Sequence, residues 1–236
     1  MEKINLYCIP YAGGIADSYL SWSKFIDDNI QIVPVELSGR GSRFKGPLYK
    51  EMDSLIDDVY SRLKNKINDG RYMIYGHSMG ALIAYELIRR IQKNGDNKPL
   101  HVFFSGSLPP NIKEEITSIY KLEDKEFMKS IFELGGTPHE LLEEPELLEI
   151  FVPILRADYE LLYKYNYSDD KEKIKNPVSI LYGKEDTITM NRIKEWDKCV
   201  CDKCEYYEFD GGHFFINTEP KKICQIIYEK YKRYVE

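Results

Sequence analysis

The stretch Tyr72-Met73-Ile74-Tyr75-Gly76-His77-Ser78-Met79-Gly80-Ala81-Leu82-Ile83-Ala84-Tyr85-Glu86-Leu87-Ile88 decides how this chain is read. Its first four residues form an apolar, β-prone run. Its last eight carry a helical apolar pattern. Between them Gly76-His77-Ser78-Met79-Gly80 fits G-x-S-x-G, the sharp strand-to-helix turn that lifts a serine hydroxyl clear of a sheet. Glycines on both sides leave room for that crowded turn. A bare G-x-S-x-G arises by chance in roughly one chain of this size in twelve, at about 7% per residue type. The flanking strand and helix give it meaning; the alternative is a glycine-rich turn with an idle serine.

Outward from that turn, apolar runs and helical patterns alternate. Leu6–Ile9, Gln31–Glu36, His101–Ser105, Pro177–Tyr182 and Cys204–Phe209 read as further strands, with Pro34 suited to an edge. Ser18–Asn29 reads as a helix with Leu20, Trp22, Phe25 and Ile26 on one face, and Met52–Ile67 as a second with Leu55, Ile56, Val59, Tyr60 and Leu63 inward. The helix after the turn runs to a C-capping Gly95. The last pattern, Glu219–Tyr234, is helical too. From Glu114 to Tyr167 the strand rhythm stops, and helices are expected at Lys125–Leu134, Pro138–Ile150 and Pro153–Tyr165, with a capping box at Thr137-Pro138-His139-Glu140. This is an α/β pattern: a mainly parallel sheet with helices on both faces. It makes one domain over 1–236, with a helical insertion at about 109–172 capping the sheet's C-terminal edge, where loops leave the strands and catalytic groups gather.

Composition narrows the classes. With 236 residues, 43% of them apolar, the chain can bury a large core, and 19 tyrosines with 10 phenylalanines make much of it aromatic. A net charge of −6 argues against a generally basic nucleic-acid binder. No N-terminal run resembles a signal peptide and none nears the ~20 apolar residues of a membrane helix, so a soluble cytoplasmic protein is expected. Five cysteines is an odd count, unlike a disulfide framework. Cys199, Cys201 and Cys204 crowd together without a second ligand pair, so reduced thiols are expected and no metal site.

A serine hydroxyl needs a base. Of four histidines, His77 sits inside the turn and would point away, His101 starts a strand and His139 lies in a capping box. His213 follows Phe209-Asp210-Gly211-Gly212 after the last strand and is the expected base. The base needs an orienting carboxylate, and the chain order serine, acid, histidine points to Asp186, with Glu185 its rival and Asp210 a duller turn residue. The oxyanion donors are expected from the Met79 amide and from Ala12 in Pro10-Tyr11-Ala12-Gly13-Gly14, whose bland alternative is an ordinary Gly-Gly turn.

With these residues assembled, nearly the whole chain resembles the type II thioesterases of nonribosomal peptide and polyketide synthesis. Pro10–Gly14 resembles that family's opening motif and Gly76–Ala81 its nucleophile segment. Leu134-Gly135-Gly136-Thr137-Pro138 and Leu155-Arg156-Ala157-Asp158-Tyr159 resemble its lid signatures, and Gly211-Gly212-His213-Phe214-Phe215 its histidine segment. Two departures are Ser38 in Ser38-Gly39-Arg40, where proline is common, and Gly183-Lys184-Glu185-Asp186-Thr187, where relatives often carry further acidic residues. The resemblance implies an alpha/beta-hydrolase fold with a helical lid, and a triad of Ser78, Asp186 and His213. It also implies hydrolysis of acyl groups from the phosphopantetheine arm of carrier proteins, the arm belonging to the substrate and no cofactor to the enzyme. Carrier proteins are acidic, so a basic rim is expected; Arg40, Arg43 and Lys45 are its candidate, or else a solvated loop. A small-molecule carboxylesterase or lipase, an acyltransferase, or a non-catalytic binder on the same scaffold are the competing readings.

Overall fold

The computed structural model describes residues 3–112, 118–133, 145–168, 172–188 and 190–235. Six strands form one sheet: β1 (Ile4–Ile9), β2 (Ile30–Pro34), β3 (Tyr72–His77), β4 (Val102–Ser105), β5 (Val178–Gly183) and β6 (Glu205–Phe209). All neighbours are parallel, in the order β2-β1-β3-β4-β5-β6. Among the described residues seven α-helices accompany them: α1 (Met52–Asp69), α2 (Met79–Asn94), α3 (Asp124–Glu133), α4 (Pro145–Lys164), α5 (Met190–Ile193), α6 (Phe215–Thr218) and α7 (Pro220–Lys232).

The sheet is buried on both faces because strand side chains alternate. Tyr7 and Ile9 of β1, Tyr72 and Ile74 of β3, and Val102 and Phe104 of β4 join one core with α1 and α2. Ile4, Leu6, Cys8, Met73, Tyr75 and Phe103 join the other, under α7 and the 3₁₀ helix Ala16–Lys24. Part of the aromatic content goes inward: Tyr7, Tyr19, Tyr72, Tyr75, Tyr85, Tyr231, Phe103, Phe104 and Phe127 are fully buried. A third, smaller core of Phe127, Met128, Ile131, Val152 and Leu155 belongs to α3 and α4, inserted between β4 and β5.

Two helix expectations need correction. Ser18–Asn29 is not an α-helix: Ser18–Lys24 falls in the 3₁₀ segment Ala16–Lys24, in which residues three apart eclipse, and 25–29 is turn. Tyr19 and Trp22 therefore share the buried face, stacking edge-on at 5.1 Å, while Leu20 and Phe25 are exposed. The expected break before Pro153 is absent: α4 runs unbroken from Pro145 to Lys164. Pro153 is exposed, so its ring costs one helix hydrogen bond on the solvent side, while Val152, Ile154, Leu155 and Leu161 hold the other side in the core. The capping box at Thr137–Glu140, His139 and the signature at Leu134–Pro138 lie outside the described residues. β2 takes the sheet edge, where Pro34 forfeits no ladder bond to a further strand.

Strand order places the site. From β1 the chain moves outward to β2; from β3 it moves the other way to β4. The crevice between the carboxyl ends of β1 and β3 is the switch point where parallel α/β sheets take ligands.

Candidate active site

Ser78 is the first residue beyond β3, with φ 55° and ψ −120°, and it is the one non-glycine at positive φ among the described residues. That conformation strains any residue with a Cβ. Backbone bonds hold it in place: Ser78 N–H donates to Ser105 O at 2.8 Å, and Ala81 N–H donates to Ser78 O at 2.9 Å. The two motif glycines are there for space. A β-carbon on Gly76 would lie 2.1 Å from Gly80 O, and one on Gly80 would lie 2.2 Å from Ile9 O and 2.7 Å from Pro10 O. The second contact sets the start of α2 directly against the end of β1. It brings the Met79 amide, at the positive end of the helix dipole, beside the Pro10–Gly14 loop that contains Ala12.

Gly183 does the same for the other half. Its missing β-carbon would sit 2.3 Å from Gly212 O, and the β5 and β6 loops are stitched by Lys184 N–H to Phe209 O (2.8 Å) and Glu185 N–H to Gly211 O (3.0 Å). Those contacts deliver Asp186 and His213 to each other. His213 Nδ1 donates to Asp186 Oδ2 at 2.9 Å, with 23% of the imidazole side chain and 3% of the carboxylate side chain exposed. Because a carboxylate only accepts, this bond leaves His213 Nε2 as the free acceptor. The Thr187 hydroxyl donates to the second oxygen, Asp186 Oδ1, at 3.3 Å. Neither rival carboxylate takes this place: Glu185 is exposed, and Asp210 is exposed and faces Lys184 at 3.8 Å.

His77 fixes where His213 stands. The two rings lie 5.2 Å apart, and Phe214 packs edge-on to both His213 and Tyr11. The imidazole thus rests against the residue preceding Ser78. His77 itself turns into the protein, as its position in the turn suggests, and its Nδ1 meets Ser105 Oγ at 2.9 Å, with Tyr75 OH donating to the same hydroxyl at 2.7 Å. Burial first, then the proximity of His213, holds its pKa well below the usual histidine range, so it stays neutral. His101 is elsewhere, at the amino ends of the strands, bonded through Nε2 to Ser179 Oγ at 2.8 Å. Cys199 and Cys204 are buried and Cys201 exposed, all as free thiols, and burial raises the first to about 11.

The basic cluster dissolves. Arg40 is 1% exposed and forms a two-bond ion pair with Asp158 of α4, at 2.6 and 2.7 Å. Arg43 is engaged by Asp58 at 2.6 and 2.8 Å, and only Lys45 is free at the surface. Arg40 therefore belongs to neither a docking rim nor a solvated loop, because a helix distant in sequence covers it. The Arg40–Asp158 contact is also what sequence reading missed: both residues stand in quoted motifs, but 118 residues separate them.

Comparison with known proteins places the whole chain among thioesterases. The chain is 32% identical over 215 residues to the gramicidin S biosynthesis protein GrsT of Aneurinibacillus migulanus, covering 91% of this chain and 83% of that one. It is 32% identical over 237 residues to a Brevibacillus parabrevis protein named linear gramicidin dehydrogenase LgrE, covering 99% and 89%. Among solved structures, ClbQ from the colibactin NRPS/PKS pathway superposes with a TM-score of 0.93 at 32% identity, covering 98% of each chain. The family described as "Thioesterase domain" matches residues 4–231. The chain belongs to that family: it is an enzyme with the alpha/beta-hydrolase fold that acts on thioesters.

Proposed function

We propose that this chain is an editing type II thioesterase, which hydrolyses misprimed or stalled acyl groups from the phosphopantetheine arm of carrier proteins through Ser78, His213 and Asp186. The observation that carries the reading is the Asp186–His213 bond held against a turn whose serine is strained into positive φ. Likeness to proteins named for gramicidin S and colibactin biosynthesis supports the substrate class.

The chemistry runs in two halves. Ser78 Oγ attacks the thioester carbonyl carbon while His213 Nε2 takes its proton; Asp186 steadies the imidazolium through Nδ1. The carbonyl oxygen becomes an oxyanion, held by the Ala12 and Met79 amides. As the C–S bond breaks, His213 returns the proton to the leaving pantetheine thiolate, and an acyl-serine remains. Water then attacks that ester, losing a proton to His213, and the acid leaves as Ser78 recovers its hydrogen. The arm is part of the substrate, and the enzyme needs no cofactor of its own. The helical insertion of about 109–172, including α3 and α4, acts as a lid that shapes the acyl site.

Mass spectrometry of a panel of acyl-loaded carrier domains tests this, with wild type and Ser78→Ala side by side. The expected result is release of acid and of free-thiol carrier by wild type alone. Carrier thioesters left intact while a simple carboxylic ester is turned over would remove the carrier reading and leave an esterase.

A further inference from the structure

We infer that Asp158 is a positioning residue for the oxyanion loop, with Arg40 as its built-in counter-ion; this rests on the assignment of the Ala12 amide above. Asp158 lies on α4, 145 residues from the loop it grips, and is 1% exposed. Both of its oxygens are committed. Oδ2 accepts from Gly13 N–H at 2.8 Å and from Arg40 Nη1 at 2.6 Å, and Oδ1 accepts from Arg40 Nη2 at 2.7 Å.

The Gly13 bond falls at a sensitive point. Gly14 N–H donates to Tyr11 O at 2.9 Å, closing a four-residue turn, and Gly13 has φ +72° at its third position, as a type II turn requires. In such a turn the central peptide, here Ala12–Gly13, makes no bond within the turn, and its rotation is soft unless something catches its N–H. Asp158 catches it, fixing the peptide next to the Ala12 amide. Leu155, three residues earlier on the same helix face, packs against Gly13 as well: a β-carbon on Gly13 would lie 2.5 Å from Leu155 Cδ2.

Arg40 follows from the same requirement. A bare carboxylate beside a developing oxyanion would oppose it, and a bidentate guanidinium cancels that charge. Arg40 Nε is buried without a hydrogen-bond partner among the described residues, a cost borne by a group placed for its two Nη contacts.

The experiment measures kcat, KM and inhibition by a trifluoromethyl ketone, which becomes an oxyanion mimic on adding the serine, per site titrated with a fluorophosphonate. A short acyl thioester of N-acetylcysteamine is the substrate. Asp158→Ala is expected to lower kcat by about tenfold to a hundredfold, to weaken the ketone by a similar factor, and to leave KM within about threefold. Asp158→Asn, which keeps an acceptor for Gly13, restores most of both. A kcat within about twofold of wild type in Asp158→Ala, or a fall in kcat with ketone affinity unchanged, overturns the inference. Should Asp158→Ala fail to fold, Arg40→Met/Asp158→Leu leaves no buried charge and carries the same expectation, wild-type values in it again overturning the idea. Full activity in Ser78→Ala sinks the serine reading instead; an inert Ser78→Ala beside an unaffected Asp158→Ala sinks only this one.

Discussion

The two ends of the sheet hold the same residue types and use them differently. At the carboxyl ends, His213 meets a carboxylate, lies against the serine turn, and keeps part of its ring open to solvent. At the amino ends, His101 is bonded to Ser179, and Lys230, with Glu205, lies nearby in an ion cluster; Lys230 and His101 are each 1% exposed. Serine–histidine hydrogen bonds occur at both, His77 with Ser105 at the first and His101 with Ser179 at the second, and neither includes Ser78. What separates the ends is access, an aligned acid and backbone strain. Ser179 sits inside a regular strand, whereas Ser78 is forced to positive φ at a helix start. Closeness of a hydroxyl and an imidazole is therefore no evidence of a nucleophile unless the backbone presents it.

The largest effects should come from breaking the first end. Ser78→Ala or His213→Ala is expected to lower kcat by about 10³-fold or more with the fold intact, since either removes the whole proton-coupled attack. Circular dichroism and steady-state kinetics on an acyl thioester, per mole of folded protein, check this, and near-normal turnover in either variant would erase the contrast. Asp186→Asn should cost about 10² to 10⁴ in kcat, because an amide no longer selects the tautomer that leaves Nε2 free. Glu185→Gln and Asp210→Asn, exposed and away from Nδ1, should leave kcat within about twofold, as surface changes do. A collapse of activity in Glu185→Gln would mean that the wrong carboxylate has been assigned.

Much of this was legible from residues alone, for a physical reason. Strand alternation, glycine clearance and helix periodicity act over a few residues, and so β3, the Gly76–Gly80 turn and α2 declare themselves locally. Asp186 and His213 were readable because parallel strands deliver their carboxyl-end loops to one edge in chain order. The rest depends on contacts that sequence spacing does not encode. Arg40 looked like a surface charge because only a helix beginning more than a hundred residues later covers it. Pro153 looked like a helix end because the pattern could not show that its ring would face outward. The 3₁₀ segment escapes a periodicity pattern because Leu20 and Phe25 are apolar yet exposed, so a helical face through them is not the buried one.

The smallest effect belongs to the other end, and it is one of stability. Ser179→Ala leaves His101 Nε2 without its partner, at a cost of about 1–3 kcal/mol and about 2–4 °C in Tm per kcal/mol for a chain of this size. It should leave kcat unchanged. The pH dependence is sharper evidence. Burial, then the charge of Lys230, holds the His101 pKa down to about 3, so the folded chain refuses a proton that the unfolded chain accepts near 6.5. A base with a depressed folded pKa stabilises fully above the unfolded value and loses that contribution as pH falls below it. Each such histidine therefore removes about 1.4 kcal/mol per pH unit below about 6.5, and neutral His77 adds a loss of the same sign. Between pH 6.5 and 5 the carboxylates contribute little, because even unfolded glutamate titrates lower, near about 4.3. Urea unfolding in that window should show a shallower pH slope for His101→Gln than for wild type, while Ser78→Ala keeps the wild-type slope. Equal slopes in His101→Gln and wild type would mean that His101 takes up its proton in the folded chain, and the amino-end histidine would no longer be the sealed counterpart of His213.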